Sequence, residues 1–588
     1  MASSGNFCVW DANNKSDDMQ LKFGNTMVDS DSAEWNAAFG TMGMKTGKWY
    51  WEVYEVGRTY NGYFGGIYRT EDAKMHLIWD NADSRLGGNV STYGTSYAGY
   101  TRLNSSYASK FYNGTETALS LSPGSDGDIW QFAFDADAGK LWIGKDNTWS
   151  DSGDPANGNN PAYSSIPAGT YVAAVLIYGN TSDTFHNNWG QDDTFGGRIS
   201  AAGNQDENGH GVFKYAPPTG FLALCSANLS ISDDIDPGGD NGADENPTKQ
   251  FNAVTYTGDS GSAVTVSTDF QPDLIWIKNR DATDNHYLQD SSRGFGNSKS
   301  LSPNATGGTG YNGGAPSSSG AQSVGSSSFQ AYGNDWSRST DDFIAWCWKV
   351  NGGTTASNSN GQTTSTVQAN QEAGLSIVEY AGTLTSSGTR TIGHGLSKAP
   401  EFYMIKQVNK NTGRWFVWHT GMSGANYMLE LNTNAAESDK SGNGNMSLPT
   451  NTVFSTNYTE ASNENSYNNI AYVWHSVEGY SKFESYIGNG NTSGPVIYTG
   501  FRPKLIFLKK ISSSGQWNVF YSPPKTFNSS ANAYLTWNTS DTEANGVPID
   551  FLSNGFKIRS SGSGVNGDGN TFIYGAWGDV PFKYANTF

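Results

Sequence analysis

The 588-residue sequence predicts an all-β protein in which one β-sandwich is followed by three repeated β-sandwich-type domains. Aromatic residues make up 13% of the chain and charged residues only 15%, with 71 glycines, a composition that favours β-sandwiches over helical bundles. Short apolar segments alternate with turns rich in Gly, Asn, Asp and Ser, as in folds made of short strands. In the second half of the chain one pattern of strands returns three times, which indicates a repeated fold.

The acidic charge limits the classes of partner. At a net charge of −19 the chain is repelled by the phosphates of nucleic acids and by anionic lipids, so neither nucleic-acid binding nor membrane insertion is expected. No apolar run of about 18 residues occurs, and the opening MASSGNFCVW lacks the basic and apolar regions of a signal peptide. We therefore expect the chain to fold in a cytoplasm.

Three cysteines are too few for a disulfide framework, and they show no metal-ligand spacing. We expect Cys8, Cys225 and Cys347 to be reduced and buried as small hydrophobic residues. No metal ion and no cofactor are expected.

The segment GKWYWEVYEV, residues 47–56, is the first element with a clear period of two. One set of alternating residues is apolar and the other is amphipathic, so a half-buried strand is predicted with the apolar set facing inward. The inward set is Trp49, Trp51 and Val53, and the outward set is Tyr50, Glu52 and Tyr54.

Three later segments continue the series of predicted strands. GDIWQFAFDADAGKLWIGKD, residues 127–146, predicts a hairpin with alternating apolar residues on both strands and a turn at 137–139. YVAAVLIYG, residues 171–179, predicts a strand that is apolar on both sides, and TFHNNWGQDDTF, residues 184–195, closes the series.

Together these segments resemble the successive signatures of a SPRY domain, a bent β-sandwich related in shape to concanavalin-like lectins. Four ordered motifs carry the resemblance, GKWYWEVYEV, YFGGIY at 63–68, GDIWQFAFDADAGKLWIGKD and NNWGQDDTF, and it covers roughly residues 5–226. It implies a SPRY-like bent β-sandwich in which Trp49 and Trp51 pack in the core. It also implies a binding module without chemistry, whose ligands lie on loops at one end.

The long insert STYGTSYAGYTRLNSSYASKFYNG, residues 91–114, is the candidate ligand-binding loop. Its tyrosines lie beside a basic and an amide side chain, a combination suited to stacking on sugars or proteins. The alternative is that the tyrosines only cover the edge of a sheet. The candidate ligand-binding residues are Tyr93, Tyr97, Tyr100, Arg102 and Asn104.

Two tracts with almost no apolar residues are predicted to be linkers. The aspartates of the first tract also suit calcium, but their spacing misses the EF-hand pattern, so a solvated linker is favoured. The predicted boundaries are 1–226 for the SPRY-like sandwich, 227–250 for the acidic linker, 251–350 for the first repeat, 351–371 for the polar linker, 372–480 for the second repeat and 481–588 for the third.

The repeats are marked by a short pattern that ends in lysine. It reads PDLIWIK, PEFYMIK and PKLIFLK, and in each copy an aromatic strand with a tryptophan follows at a nearly constant distance. This indicates three copies of one β-domain of about 100 residues. The prolines are Pro272, Pro400 and Pro503, the lysines Lys278, Lys406 and Lys509, and the tryptophans Trp348, Trp474 and Trp577.

The positions that match between copies are apolar strand residues, so a fold recurs and not a reaction centre. The shared lysine is the polar exception. It is either an edge residue whose charge reaches solvent or part of an interface used three times. The Gly/Ser/Asn-rich middles of the copies differ most, and variable loops on a repeated scaffold are a way to diversify a binding surface.

The repeats resemble those in tail-fibre and other virion proteins of marine bacteriophages, cyanophages among them. The run SYIGNGNTSGPVIYTGFRPKLIFLKK, residues 485–510, and the WNVFY strand after it carry this resemblance. SPRY-like domains occur beside such repeats there. The chain shows no helical anchor, heptad run or collagen-like shaft, which favours a short spike, head fibre or capsid-attached protein over a long fibre.

The resemblance implies a non-enzymatic bacteriophage virion structural protein, made in the host cytoplasm and exposed on the virion surface. The expected role is that of a tail fibre or spike that binds host cell-surface glycans in adsorption. The expected partners are other virion proteins, a host surface glycan and, by analogy with phage appendages, two further copies in a homotrimer. The alternative is a capsid decoration or head-fibre protein.

Catalytic motifs are not found in the sequence. None of the seven histidines lies in an HExxH, H-x-E or CxxC context, and no GxSxG or Walker loop occurs. A polysaccharide depolymerase, the third and less favoured class, needs two carboxylates that flank the scissile bond. The pairs Asp135/Asp137 and Asp192/Asp193 have a simpler explanation as turn residues.

Overall fold

In the computed structural model the chain forms two compact units, each built almost entirely of antiparallel sheets. Among the residues that the structure describes, strands account for 45% and helices for 4%, which confirms the all-β prediction. The structure describes residues 5–30, 35–56, 62–70, 98–104, 107–112, 115–178, 184–231, 236, 246–308, 318–458, 462–522, 533–547 and 549–584.

The first unit comprises residues 1–230 together with 495–498. Tyr498 belongs to it through its hydroxyl, which donates to Gly40 O at 2.9 Å and accepts from Asn14 Nδ2 at 3.4 Å. The strands of the main segment are β1 (Trp10–Lys15), β2 (Met19–Lys22), β3 (Met27–Ser30), β4 (Trp35–Gly40), β5 (Lys48–Val56), β6 (Gly62–Arg69), β7 (Ala98–Asn104), β8 (Tyr107–Tyr112), β9 (Thr115–Ala118), β10 (Ile129–Asp135), β11 (Lys140–Lys145), β12 (Thr148–Trp149), β13 (Tyr171–Tyr178), β14 (Thr184–Asn188) and β15 (Leu222–Ala223).

These strands form two sheets. One has the order β1-β4-β13-β6-β7-β8-β9, and the other β12-β11-β10-β5-β14-β3-β2, with β15 parallel to β5. Aromatic side chains join the sheets, as where Phe134 of β10 meets Tyr171 of β13 edge to face with ring centroids 5.4 Å apart. The predicted sandwich is therefore confirmed.

Strand β5 carries the GKWYWEVYEV motif through the middle of its sheet. Trp49 pairs with Phe134 and Trp51 with Phe132 across the antiparallel ladder to β10. The rings of Trp51 and Phe132 stack at 5.1 Å and 7°. Trp49 and Trp51 are buried, as the motif predicts.

The outward face of β5 differs from the prediction, because Tyr50 and Glu52 are fully buried. Residues 213–225 cover them, and the ring of Phe213 meets Tyr50 at 5.1 Å. The Glu52 carboxylate accepts the backbone N–H groups of Lys214 and Tyr215 at 2.9 and 2.8 Å. An alternating pattern cannot distinguish a face open to water from one covered by a later loop that satisfies its polar groups.

Glu52 is a buried acid in the middle of this covered face. Its carboxylate also accepts from the Tyr50 hydroxyl at 3.0 Å and from Asn188 Nδ2 at 3.3 Å. Burial raises the pKa of Glu52 to about 7, although the four donors favour its charged form. The carboxylate ties the covering segment to the sheet.

The hairpin predicted at residues 127–146 is confirmed. Strands β10 and β11 pair in register from Trp130 opposite Lys145 to Asp135 opposite Lys140. Asp135 Oδ1 accepts the backbone N–H of Ala138 at 2.9 Å, and Gly139 adopts a φ of 61° in the turn. Strand β13 is buried on both sides from Tyr171 to Ile177, as predicted for the segment 171–179.

The second unit comprises residues 231–494 and 499–588, which include the three repeats apart from residues 495–498 of the third. The short strand β34 (Val496–Tyr498) lies in the first unit. The elements of the second unit are β16 (Phe251–Thr257), β17 (Val264–Ser267), β18 (Leu274–Asn279), β19 (Tyr287–Asp290), β20 (Gly320–Gln322), β21 (Ser328–Tyr332), β22 (Asp342–Trp348), β23 (Ala356–Asn358), β24 (Ser365–Asn370), β25 (Leu375–Ala381), β26 (Thr389–Gly393), β27 (Phe402–Gln407), β28 (Trp415–His419), β29 (Tyr427–Glu430), β30 (Ser438–Asp439), β31 (Val453–Asn457), β32 (Asn468–Trp474), β33 (Ser481–Ile487), β35 (Phe501–Lys510), β36 (Trp517–Tyr521), β37 (Ala533–Thr536), β38 (Ala544–Asn545), β39 (Ile549–Leu552), β40 (Gly555–Ile558), the single-turn helix α1 (Ser563–Asn566) and β41 (Thr571–Pro581).

Each repeat contains the same four antiparallel strands in the same order. The strand that carries the lysine pattern lies between the final, tryptophan-bearing strand and its own hairpin partner, and the opening strand lies beyond the final one. The orders are β16-β22-β18-β19, β25-β32-β27-β28 and β33-β41-β35-β36.

The three repeats share one hydrophobic core. Trp348, Trp474 and Trp577, the final tryptophans of the three repeats, pack against one another edge to face with ring centroids 5.5 to 6.2 Å apart. Equivalent residues that meet in this way place the repeats around an approximate three-fold axis. The repeats therefore share part of their core, although the first repeat also has a hydrophobic cluster of its own.

The contacts between repeats run in one direction around this axis. The donors are ring N–H groups of a His or Trp side chain that lies at, or one residue before, the start of β19, β28 or β36. Each donates to a backbone carbonyl of a neighbouring repeat. We call the accepting stretches, residues 301–306, 430–437 and 536–543, the joint segments. The bonds are His286 Nε2 to Thr536 O at 3.0 Å, Trp415 Nε1 to Ser302 O at 3.0 Å, and Trp517 Nε1 to Glu430 O at 3.4 Å.

The first repeat thus contacts the third, the second contacts the first and the third contacts the second, so the repeats close a ring. The joint between the first and third repeats brings together the two ends of the repeat array. There the guanidinium of Arg280 binds the carboxylate of Glu543 with two bonds, of 2.7 and 3.0 Å, and both side chains are 8% exposed. The Trp276 ring stacks on Trp537 at 4.5 Å in the same joint.

The polar tract 351–371 was predicted to be a linker, and the structure contradicts this. It contains β23 and β24, which extend the sheet of the second repeat beside β25. Gln368 is fully buried, and its Oε1 accepts the backbone N–H groups of Asn351 and Gly353. The low hydrophobicity misled the prediction, because buried polar residues are stable in a sheet when their hydrogen bonds are satisfied.

Replacing Arg280 with alanine is expected to destabilise the second unit strongly. The change leaves the buried Glu543 carboxylate without this guanidinium, and removal of one partner from a buried pair costs about 3–5 kcal/mol. Urea denaturation of the full chain measures the effect. The matched control is Arg414→Ala, whose guanidinium binds Glu430 but is 51% exposed, with an expected cost below about 1 kcal/mol. Equal costs for the two variants would show that the closing joint contributes no more than a surface ion pair.

Candidate functional site

The predicted ligand-binding residues fall partly on β7. Tyr100, Arg102 and Asn104 occupy alternate positions of this strand, whereas Tyr93 and Tyr97 lie outside the described residues. Tyr100 pairs with Gly65 of β6 on one side and with Lys110 of β8 on the other. The strand rise places successive members of the described three about 7 Å apart.

The segment 91–114 is therefore not a loop over its second half. Strands β7 and β8 form a hairpin within the seven-stranded sheet, so three of the candidate residues belong to a sheet and not to a mobile insert. The alternation in AGYTRLN carried the strand signal, but the Gly, Ser and Asn residues of the insert 91–114 concealed it. A binding role for these residues stays a prediction.

Side-chain contacts hold strand β8 against the rest of the sandwich. Lys110 Nζ donates to Ala162 O at 2.7 Å and lies 5.6 Å from the ring centroid of Tyr163. Ala108 and Ser109 of the same strand are buried. The backbone that carries Tyr100, Arg102 and Asn104 is thus held by its neighbour, as a binding surface requires.

The four aspartates considered as catalytic pairs accept backbone N–H groups. Asp137 Oδ2 accepts from Gly47 at 3.1 Å, and Asp192 Oδ2 from Gly196 at 2.6 Å. Asp193 Oδ2 accepts from both Ala202 and Gly203 at 2.6 Å, and Asp135 caps the hairpin turn described above. Their interpretation as turn residues is confirmed.

Buried histidines of the second unit hold the backbone. In His286, His394 and His419 the Nε2–H donates to a carbonyl oxygen at 3.0 Å, while Nδ1 accepts an N–H. Burial lowers the pKa of His394 to about 4 and that of His419 to about 3, so both are neutral at pH 7. Among the described residues no group of three or more His, Cys, Asp and Glu side chains is placed to hold a metal ion.

The three cysteines are free and buried, as predicted. Burial raises the pKa of the Cys8 thiol to about 12, which makes it unreactive near neutral pH. Most of the acidic tract, residues 232–235 and 237–245, lies outside the described residues, and so do most of the aspartates considered for calcium. No helix within the described ranges has both the length and the apolar character needed to cross a membrane.

The shared lysines Lys278, Lys406 and Lys509 are completely buried, which excludes an edge residue that reaches solvent. Lys406 Nζ donates to Thr306 O, in the joint segment of the first repeat, at 2.7 Å, and to Gly413 O of its own repeat. Lys509 Nζ donates to Ala435 O, in the joint segment of the second repeat, at 2.8 Å. Two of the three lysines therefore serve an interface between repeats.

The lysine of the first repeat departs from this pattern. Lys278 Nζ donates to Asn279 O at 2.5 Å and to Ala282 O at 2.9 Å, both in its own repeat. The closing joint relies instead on Arg280, two residues further on. Burial lowers the pKa of Lys278 to about 8 and those of Lys406 and Lys509 to about 7. No periodicity in the sequence distinguishes such a lysine from one on an exposed edge.

The second unit is thus a closed array of three β-repeats whose shared polar side chains hold backbone carbonyls. Residues 246–581 match the family described as a domain of unknown function, DUF7483, and the chain belongs to this family. The match spans all three repeats, so the family corresponds to the array as a whole.

The chain is also similar to solved SPRY domains. The SPRY domain of human HERC1 shares 17% identity, with a TM-score of 0.23, over 30% of this chain and 96% of that one. The TRIM65 PSpry domain shares 14% identity, with a TM-score of 0.22, over 31% of this chain and 91% of that one. No curated protein matches the chain. The resemblance of the repeats to phage virion proteins stays a prediction.

The buried lysines give the second unit a defined pH dependence. A lysine with a pKa near 7 when folded and 10.5 when unfolded binds its proton only in the unfolded chain between these values, so stability rises with pH from about 7 to about 10.5. Each such lysine contributes up to about 1.4 kcal/mol per pH unit. Lys406→Met is expected to reduce this slope.

The measurement is the free energy of unfolding in urea at pH 7, 8, 9 and 10 for the wild type, Lys406→Met and a control. The control is Lys398→Met, because the Lys398 side chain is exposed. A Lys406→Met slope equal to that of the wild type would mean that Lys406 keeps its proton in the folded chain.

Proposed function

We propose that the chain is a non-enzymatic structural protein on the surface of a bacteriophage particle, of the tail-fibre or spike type, that binds host cell-surface glycans during adsorption. The observation that carries the proposal is the closed ring of three repeats. The polar side chains that the repeats share are buried and donate to backbone carbonyls, at the joints or within their own repeats. This supports a scaffold role for the part that the three repeats have in common.

The same geometry supports a binding role for the parts that differ between copies. Each Gly/Ser/Asn-rich middle begins at or in a joint segment and is therefore anchored at its start, while its sequence is free to vary. Three anchored segments around one axis, together with the β7 hairpin of the first unit, offer several weak contacts. Weak glycan contacts become strong when a particle presents many copies at once.

A capsid decoration or head-fibre role is the second candidate, and the approximate three-fold axis favours it. A ring with this arrangement matches the local symmetry of a three-fold axis in a symmetric shell, where three equivalent surfaces meet three equivalent partners. In both roles the partners are other virion proteins, and a homotrimer by analogy with phage appendages remains part of the proposal.

Binding of the fluorescently labelled full chain to a panel of marine bacteria, cyanobacteria included, tests the adsorption role. We expect saturable binding to some strains that is competed by polysaccharide extracted from the same cells. The variant Tyr100→Ala/Arg102→Ala/Asn104→Ala is expected to weaken binding by about tenfold or more, as loss of a central binding cluster does.

The matched control is Gln322→Ala, an exposed polar position of the second unit. Uncompeted or absent binding by a protein with an intact melting transition would overturn the adsorption role in favour of the shell role. Full binding by the triple variant would overturn the assignment of β7 while leaving adsorption in place.

A further inference from the structure

Phe23 is an exposed aromatic side chain at a tight turn of the first unit. It opens the four-residue connection between β2 and β3, and its side chain is 57% exposed. Among the described residues, Leu448 is the other large apolar side chain that is exposed. Scattered exposed apolar residues are ordinary, but this one also has an unusual backbone.

The backbone of Phe23 is left-handed. Its φ is 52°, and Gly24 and Asn25 follow with φ of 64° each. Glycine and asparagine adopt this region readily, whereas a bulky side chain does so at a cost in free energy. The turn therefore keeps a phenylalanine where a smaller residue is more stable, and such outliers are concentrated at binding sites.

Arg198, His186 and Gly196 contact the ring of Phe23. The Arg198 guanidinium carbon lies over the ring at 5.2 Å from its centroid, and the His186 ring lies 5.5 Å away. Gly196 completes the support, because a Cβ at that position would lie 3.3 Å from Phe23 Cε1. The ring is thus held from one side and presented to solvent.

A chain of hydrogen bonds fixes this support. The Thr26 hydroxyl donates to Phe23 O at 2.7 Å and accepts from His186 Nε2 at 2.8 Å. His186 Nδ1 accepts from Arg198 Nη1 at 3.2 Å, and Arg198 Nη1 also donates to Phe195 O at 2.7 Å. Burial and the neighbouring guanidinium lower the pKa of His186 to about 4, so a neutral ring joins the two partners at pH 7.

The surroundings of the ring leave room for a flat ligand. A Cβ built at either Gly24 or Gly197 would meet nothing within 4 Å. The Arg198 guanidinium contacts the ring, and Lys22, the preceding residue, is exposed and paired with Asp29 at 2.6 Å, so an isolated apolar surface has charged neighbours. Protein partners cover apolar patches of several residues, whereas one ring with a polar border matches the apolar C–H face and the hydroxyl rim of a sugar ring.

We propose that Phe23 is the stacking platform of a saccharide-binding site, supported by Arg198 and flanked by the open positions at Gly24 and Gly197, which takes the C–H face of a pyranose. The proposal rests on the proposed glycan binding and assigns part of it to a turn that lies outside the β7 hairpin.

The variant Phe23→Asn tests the platform, because asparagine suits the left-handed backbone and removes the ring. The full chain is applied to immobilised bacterial capsular polysaccharides and lipopolysaccharides, and melting is followed in parallel. We expect binding to fall about tenfold or more, while the melting temperature stays the same or rises. Phe23→Trp is expected to retain binding, and the control Leu448→Ala, which removes the other exposed apolar side chain, to leave it unchanged.

The outcomes separate the two proposals. If the wild type binds and Phe23→Asn binds equally well, the platform is overturned and glycan binding stands. If Phe23→Asn loses binding and melts at a much lower temperature, the ring has a structural role and the platform is overturned as well. If the wild type binds no saccharide on the surface, glycan binding and its platform both fail.

Discussion

The second unit depends on the contact of Trp348, Trp474 and Trp577 at the approximate three-fold axis. Each tryptophan lies on the final strand of its repeat, and that strand pairs on both sides with neighbours of the same repeat. Packing the three rings together therefore orients three whole sheets at once. In the same arrangement the ring N–H groups of His286, Trp415 and Trp517 reach carbonyl oxygens of neighbouring repeats.

The buried lysines show how polar groups are accommodated in this core. An ammonium in an apolar interior is costly unless acceptors surround it, and here each one meets at least two backbone carbonyl oxygens. The lysines thereby satisfy carbonyl oxygens of turns, strand ends and joint segments. The first unit solves a comparable problem with Glu52, a carboxylate that satisfies two backbone N–H groups of its covering segment.

Much of the fold was predictable, because strands and hairpins follow from local alternation. The hairpin around the turn at 137–139, the buried pair Trp49 and Trp51 and the recurring lysine-bearing strand all lie where their patterns place them. Features that depend on distant segments were not predictable. Tyr50 and Glu52 are covered by residues more than 150 positions later in the chain. Gln368 is buried in a sheet, although the polar sequence around it gave no indication of a buried strand.

The candidate site could be predicted from the sequence only in part, for the same reason. The types of side chain at Tyr100, Arg102 and Asn104 indicated a binding surface, but the pairing of β7 with β6 and β8 could not be read from a stretch so rich in glycine and serine. Phe23 carried no signal at all, because a single aromatic residue beside glycine is common. Its exposure and its left-handed backbone become visible only in three dimensions.

Closure of the ring also limits how such a protein can diverge. Open repeat arrays grow or shrink by whole copies, because each copy contacts only its neighbours and the end copies are capped. Here the first and third copies contact each other through Arg280 and Glu543, and three tryptophans fill one axis. An added fourth copy has no joint to enter, and deletion of one exposes the core of the other two. Such an array must therefore diverge by substitution and loop insertion within a fixed set of three copies.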